Sequence, residues 1–134
     1  MFGSLDISTS ALVAQRTRMN VLAANIANRF TTHDAEGNYA PYRRRIPVFA
    51  TGDPASGSDQ GVHVSEILLA DSPLQRKYDP TNPNADEQGY VMMPNIDPAT
   101  EMVNALEAAR AYEANITAAE VTKNMLQSSL RLLA

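Results

Sequence analysis

PATEMVNALEAARAYEANITAAEVTKNMLQSSLRLLA, residues 98–134, decides the fold. Steps of three and four along it pick out Met102, Ala105, Ala109, Tyr112, Ile116, Ala119, Lys123, Leu126, Leu130 and Leu133, an apolar stripe broken only at Lys123. That period is the seam of a coiled coil, and the stretch measures roughly 55 Å if wholly helical. A second row, Ala111, Ala114, Ala118, Val121, Met125 and Leu132, lies on another side of the same helix. More than one face therefore needs a partner.

The start of this helix is also legible. Asp97 can cap the free amides, and Pro98 at the first helical position gives up an amide that would go unpaired anyway. Glu107 with Arg110, Arg110 with Glu113, and Glu120 with Lys123 are opposite charges three apart, each contributing a few tenths of a kcal/mol on an exposed helix. Packing dominates those pairs. Many contact positions are alanine, which admits close backbone approach but buries little area at roughly 25 cal/mol per Å². Such a helix is stable only in company.

Residues 4 to about 28 predict a second long helix, with Leu5, Leu12, Met19 and Ile26 at seven-residue spacing and Leu22 and Ala23 beside them. Gln15, Arg16, Thr17, Arg18, Asn20, Asn25 and Asn28 make its opposite side polar. Asparagine is a poor helix former, and Lys or Glu would serve a merely solvated face better. The amides are therefore expected either to bond neighbouring chains or to cap the helix end, unless the last turn simply frays.

Between the helices the character changes. Thr31, Thr32, Gly37, Asn38 and Pro41 belong to turns, and 42–49 predicts a short strand that Pro47 confines to an edge. Residues 51–61, with Gly52, Pro54, Gly57 and Gly61, predict a flexible loop, and 62–69 the returning strand of a hairpin. Residues 74–78 predict another short strand, followed by turns at Pro80, Pro83 and Gly89 and by 90–93, which approaches the long helix. So little irregular β structure cannot hold a large core of its own and must lean on the helices. The expected fold is mainly α with a small β region: two long terminal helices packing as a coiled coil, with an irregular β-hairpin region inserted between them. The expected domains are a terminal helical domain of 1–30 and 96–134 and a β-rich middle of 31–95.

A net charge of −4 argues against nucleic acid as a partner, and zero cysteines remove disulfides and thiolate chemistry. The first residues show no basic region followed by an unbroken apolar core, so neither a cleaved signal nor membrane insertion is expected. His33 and His63 lack any ligand spacing and are expected at the surface. Asp34, Glu36 and Asn38 around Gly37 lack the other ligands of a calcium loop and predict a solvated turn. No nucleophile elbow, phosphate-cradling loop or triad is present, so no catalytic residue, metal or cofactor is expected. Arg43, Arg44 and Arg45 cannot form one patch on a strand whose side chains alternate. They either protect an edge from pairing or meet acids of a neighbouring subunit. Asn115-Ile116-Thr117 matches a glycosylation sequon, but inside a helix and across its seam.

Ser10-Ala11-Leu12, Ala14 through Asn20, Ala24-Asn25-Ile26-Ala27-Asn28, Thr31 and Thr32 resemble the N-terminal signature of the axial rod and hook proteins of the bacterial flagellum. Pro41-Tyr42-Arg43-Arg44-Arg45, Gly61-Val62-His63-Val64, Tyr78-Asp79-Pro80, Gly89-Tyr90-Val91, Pro94-Asn95, Glu101-Met102-Val103 and 109–115 narrow the resemblance to the proximal-rod branch. The match covers nearly the whole chain in motif order. It departs from the branch at Pro98 and Ala99, and at 36–41, where a glycine-rich turn is expected.

The resemblance implies a non-enzymatic, torque-transmitting subunit of the rod that crosses the periplasm. It implies export through the flagellar type III apparatus without a cleaved signal, and terminal helices that order on assembly into an inner layer around a channel. The implied partners are other copies of itself, proximal-rod neighbours, the distal rod, the membrane-ring junction protein and the export apparatus. Leu5, Leu12, Met19, Leu22 and Ile26 of the first helix, with Met102, Ala105, Ala109, Tyr112, Ile116, Ala119, Leu126, Leu130 and Leu133 of the second, would form the assembly seam. Gln15, Arg18, Asn25, Asn28, Arg43, Arg45, Arg110, Glu113 and Asn115 would supply polar contacts between subunits or face the channel. The weaker alternatives are another axial rod component, or a peptidoglycan-binding module or hydrolase using the arginines with Asp34 or Glu36.

Overall fold

A computed structural model describes residues 2–134; Met1, where the expected terminal domain begins, lies outside the described residues. The chain runs α1 (Phe2–Ala27), β1 (Arg45–Asp53), β2 (Ser58–Leu69), β3 (Gln75–Tyr78), β4 (Tyr90–Met93) and α2 (Pro98–Leu133). The expected class holds: two long terminal helices flank a small antiparallel β region. α2 begins as its sequence requires. The Asp97 carboxylate accepts from the Ala99 amide at 3.2 Å and the Thr100 hydroxyl at 2.6 Å, with Pro98 opening the first turn. Asn28 closes α1: its side-chain amide donates to Ala24 O at 2.8 Å, and its side-chain oxygen accepts from the Thr31 hydroxyl at 3.1 Å.

The hairpin is longer and tighter than expected. β1 and β2 pair antiparallel from Arg45 opposite Leu69 to Asp53 opposite Ser58, so most of the predicted 51–61 loop is strand and only 54–57 turns. Of the glycines read as loop signals, Gly57 lies in the turn, with φ 67°, while Gly52 and Gly61 are bulge and contact residues. Gly52 (φ 88°) lies at the register shift between Thr51 and Asp53, and Gly61 (φ 95°) lies against α1. Pro47 fits because Ala70 N donates to Arg44 O, and the antiparallel alternation then turns the Pro47 nitrogen to the free outer edge.

β3 and β4 form a second antiparallel pair, Gln75 opposite Met93 to Tyr78 opposite Tyr90. The sequence reading did not anticipate that pairing. Tyr78 and Tyr90 stack edge to face at 5.4 Å, and the Asp86 carboxylate shapes the turn by accepting from the Gln88 and Tyr90 amides. Tyr39 ties the 31–42 loop to this ribbon, its hydroxyl donating to Met92 O (2.6 Å) and accepting from Met92 N (2.9 Å).

The helices run antiparallel, with Asn25 beside Glu101 and Arg18 ion-paired to Glu107 at 3.5 Å. Glu107 thus bonds across the helix pair rather than to Arg110 as expected. The core is small: Ala14, Val21 and Leu22 of α1, Ala108 of α2, Ala70 and Val91, joined by buried Ser8, Asn25 and Glu101. Along α2 the buried or half-buried positions are 98, 101, 104, 105, 108, 109, 111, 112, 115, 119, 122, 126 and 129, a seam that shares part of the apolar stripe but is rotated toward polar residues. By that register α2 continues about nine or ten residues past the start of α1, and there Leu132 and Leu133 are 88% and 86% exposed.

The hairpin seats on α1 through one close approach. Val62 N donates to the Ser10 hydroxyl at 3.1 Å, and a Cβ on Gly61 would stand 2.7 Å from that oxygen. Gly61→Ala therefore meets both a left-handed backbone and a clash, and should cost about 1–3 kcal/mol. A urea midpoint equal to that of the parent chain would refute this seating.

Candidate assembly surface

Where the C-terminal end of α1 crosses the start of α2, a polar junction fixes both helices and the hairpin. Asn25 is 0% exposed and uses its amide in four directions. Its Oδ1 accepts from Arg45 N at 2.9 Å and the Tyr42 hydroxyl at 3.0 Å; its Nδ2 donates to Arg45 O at 2.9 Å and Glu101 Oε2 at 3.0 Å. Bonding both backbone groups of Arg45, the side chain stands in for a neighbouring strand. Glu101, 1% exposed, also receives Arg44 Nε through its other oxygen. Arg45 lies over the Tyr42 ring at 5.5 Å, and burial pushes the Tyr42 phenol up from its ordinary pKa, keeping it a neutral donor. Every charge at this junction has a partner, which is what burial of ions demands.

Several expected contact residues are engaged here within the chain. Asn25 is enclosed in the junction, Arg18 pairs with Glu107, and Asn28 caps α1. Asn115 is half-buried and bonds Ala111 O. Gln15 is half-buried with its Oε1 enclosed and lacking a partner among the described residues. Arg43, Arg45, Arg110 and Glu113 are exposed. On the apolar side Leu22 is buried, and Leu5, Leu12, Met19, Ile26, Ala105, Ala109, Tyr112, Ala119 and Leu126 are half-buried. Met102, Ile116, Leu130 and Leu133 are exposed, as are Val13, Val103, Leu106, Val121 and Met125.

Sequence reasoning missed Arg44 and Glu101 as a pair. Each lies in a charged surface-like context, and only the crossing of the elements joins positions 57 residues apart. The acid Glu101 following Asp97 and Pro98 in the first helical turn was the available signal, but it reads equally as a helix-dipole residue.

Elsewhere the polar groups serve turns. Asp34 Oδ1 accepts from Glu36 N and Asn38 N, giving the solvated turn expected there. His63 Nδ1 lies 2.8 Å from Gly52 O, and His33 packs on Tyr39. Among the described residues no cluster of three His, Cys, Asp or Glu is placed to hold a metal, and no helix is long and apolar enough to cross a membrane.

The Thr100 hydroxyl, then the Ala99 amide, hold the Asp97 carboxyl below the usual range. A depressed folded-state pKa contributes stability above the unfolded value of about 3.9, lost as pH falls through the folded value. Asp97→Asn should flatten the loss of stability below about pH 4, measured as urea midpoints at pH 6 and pH 3.5. An unchanged pH profile would refute the assignment.

Two protein-family models match, and both describe the flagellar rod class. "Flagella basal body rod protein" covers residues 5–32 and "Flagellar basal body rod FlgEFG protein C-terminal" covers residues 87–132, so the first takes in most of α1 and the turn after it, and the second β4 with most of α2. The flagellar basal-body rod protein FlgC of Bacillus subtilis (strain 168) is 41% identical over 98% of this chain and 97% of its own length. FlgC of Aquifex aeolicus is 44% identical over 95% and 92%, and FlgC of Salmonella typhimurium 40% over 95% and 93%. The chain belongs to the FlgC family of flagellar basal-body rod proteins. It is a structural subunit of the basal-body rod rather than an enzyme, and it assembles with other rod components.

Proposed function

We propose that the chain is a torque-carrying subunit of the proximal rod, whose terminal helices, 1–30 with 96–134, form an axial layer while 31–95 locks each copy to lateral neighbours. The observation that carries this is the split character of the helices. One face is closed inside the chain around Ala14, Leu22 and Ala108, while other faces expose Val13, Met102, Val103, Leu106 and Val121 at 51–65%. Apolar faces of that extent mark surfaces that other chains cover. Head-to-tail contacts that do not close generate a helical shaft, and many interlocked helix contacts resist twist along it. The seam residues Met102, Ile116, Leu130 and Leu133, with Arg43, Arg45, Arg110 and Glu113, are the positions available for those contacts. The partners in this reading are further copies, proximal and distal rod neighbours and the membrane-ring junction protein, reached after type III export.

Hydrogen exchange tests this reading, comparing the purified chain with the same chain in isolated basal bodies. Amides around Asn25 and Glu101 should be protected in both, and those of α2 beyond Glu120 should exchange rapidly in the free chain and slowly in the rod. Full protection of the whole of α2 in a free monomer would overturn the proposal.

A further inference from the structure

Two strand edges in this fold are closed by side chains. On the outer edge of β1, Asn25 bonds both backbone groups of Arg45, and Pro47 follows without an N–H. On β4, the Tyr39 hydroxyl bonds both backbone groups of Met92. Asp86 does the same for Tyr90, its carboxylate accepting from Tyr90 N and its amide donating to Tyr90 O. β3 is left open, because it pairs with β4 alone. Asp79 N donates to Gly89 O, so the antiparallel alternation turns the backbone groups of Arg76 and Tyr78 outward. No hydrogen bond from outside the ribbon reaches them among the described residues.

Beside that edge lies a concavity of about 390 Å³, lined by Arg29, Arg76 and Lys77 with Phe30, Met93 and Ile96, and by no acid. Arg76 pairs with Asp86, whereas Arg29 and Lys77 have no acid at ion-pair distance among the described residues. Phe30 is 69% exposed. A chain of net charge −4 thus sets a cationic, partly apolar pocket against an unpaired strand.

We propose that β3 receives, as a third strand of its ribbon, an extended acidic segment of a different rod subunit, one in which carboxylates flank an apolar residue. The backbone of that segment bonds Arg76 and Tyr78, its apolar side chain lies against Phe30 and Ile96, and its acids meet Arg29 and Lys77. Alternate residues of a strand share a face, so every second position of the segment reaches the pocket. A second copy pairing through the same edge would set Arg76 and Lys77 against the same cations, and like charges directly opposite destabilise a strand pair. An anionic polymer of the cell wall would tether a shaft that has to turn. The inference rests on the reading of this chain as a rod subunit and names one of its contacts.

The test places the photo-cross-linking residue p-benzoylphenylalanine at position 30 of the sole copy in the cell, irradiates isolated basal bodies and identifies the linked peptide by mass spectrometry. The expected product joins position 30 to a segment of a different rod subunit in which Asp or Glu flanks an apolar residue, and Lys77→Glu should lower its yield about tenfold or more. Overturning results are a product with another copy of this chain, with wall material or with a segment lacking acids, a yield unchanged by Lys77→Glu, or no product from motile cells whose basal bodies contain the chain. Each of these leaves the rod assignment intact. Parent chain absent from basal bodies overturns the rod assignment itself. If the substituted chain fails to assemble, hydrogen exchange of the parent chain decides. Arg76 and Tyr78 amides that exchange about tenfold or more slowly in basal bodies than in the purified chain support the added strand, and equal exchange overturns it.

Discussion

Glu101→Ala is expected to destabilise the chain by about 3–5 kcal/mol, because it removes one member of a buried ion pair and strands the other. Glu101 is 1% exposed and receives both Arg44 and Asn25. Without it, one N–H of the fully buried Asn25 loses its acceptor, and the Arg44 guanidinium, on a side chain 28% exposed, loses its ion-pair partner. A small domain is stable by roughly 5–15 kcal/mol, so the change removes a large share of the margin and should disconnect α2 from α1 and the hairpin. Urea unfolding followed by far-ultraviolet circular dichroism measures it. Replacing both partners with apolar residues, Arg44→Met with Glu101→Leu, should restore much of the loss, since paired removal leaves no orphan charge. A single-variant effect within the ±0.5 kcal/mol of ordinary surface substitutions would remove the junction from its organising role.

Ile116→Asp should abolish swimming while leaving the purified chain folded. Ile116 lies on the outer apolar stripe and is 36% exposed in the single chain, so the free protein loses little more than helix propensity, under about 1 kcal/mol. In the assembled rod the same side chain would place an unpaired carboxylate in a dry interface, costing several kcal/mol at every copy. The expected result is no soft-agar spreading and no rod in basal-body preparations, with normal circular dichroism. Ala109→Glu is a poorer test of the same stripe, because Ala109 is half-buried next to Ala108 at 0% exposure and the substitution would disturb the chain's own helix pair. Unimpaired swimming of the Ile116→Asp strain would exclude this stripe from assembly.

Both terminal helices, the Asp97–Pro98 start of α2 and the need for outside partners were legible in the sequence, because period, capping and apolar surplus are local properties of a helix. The hairpin was legible, but its tight turn was not: Gly52 and Gly61 signal a loop locally, whereas the bulge and the seating on Ser10 depend on what lies opposite. Which side of α2 faces α1 also escaped the sequence. Its most apolar stripe, through Met102, Ile116 and Leu130, was the natural candidate, yet the intramolecular seam runs through Glu101, Ala108 and Asn115. The tertiary structure alone decided that, because the satisfied network of Asn25, Arg44 and Glu101 sets the rotation of α2. Apolar periodicity shows that a face seeks cover, but only the placement of polar partners shows whether the chain or its neighbours provide it.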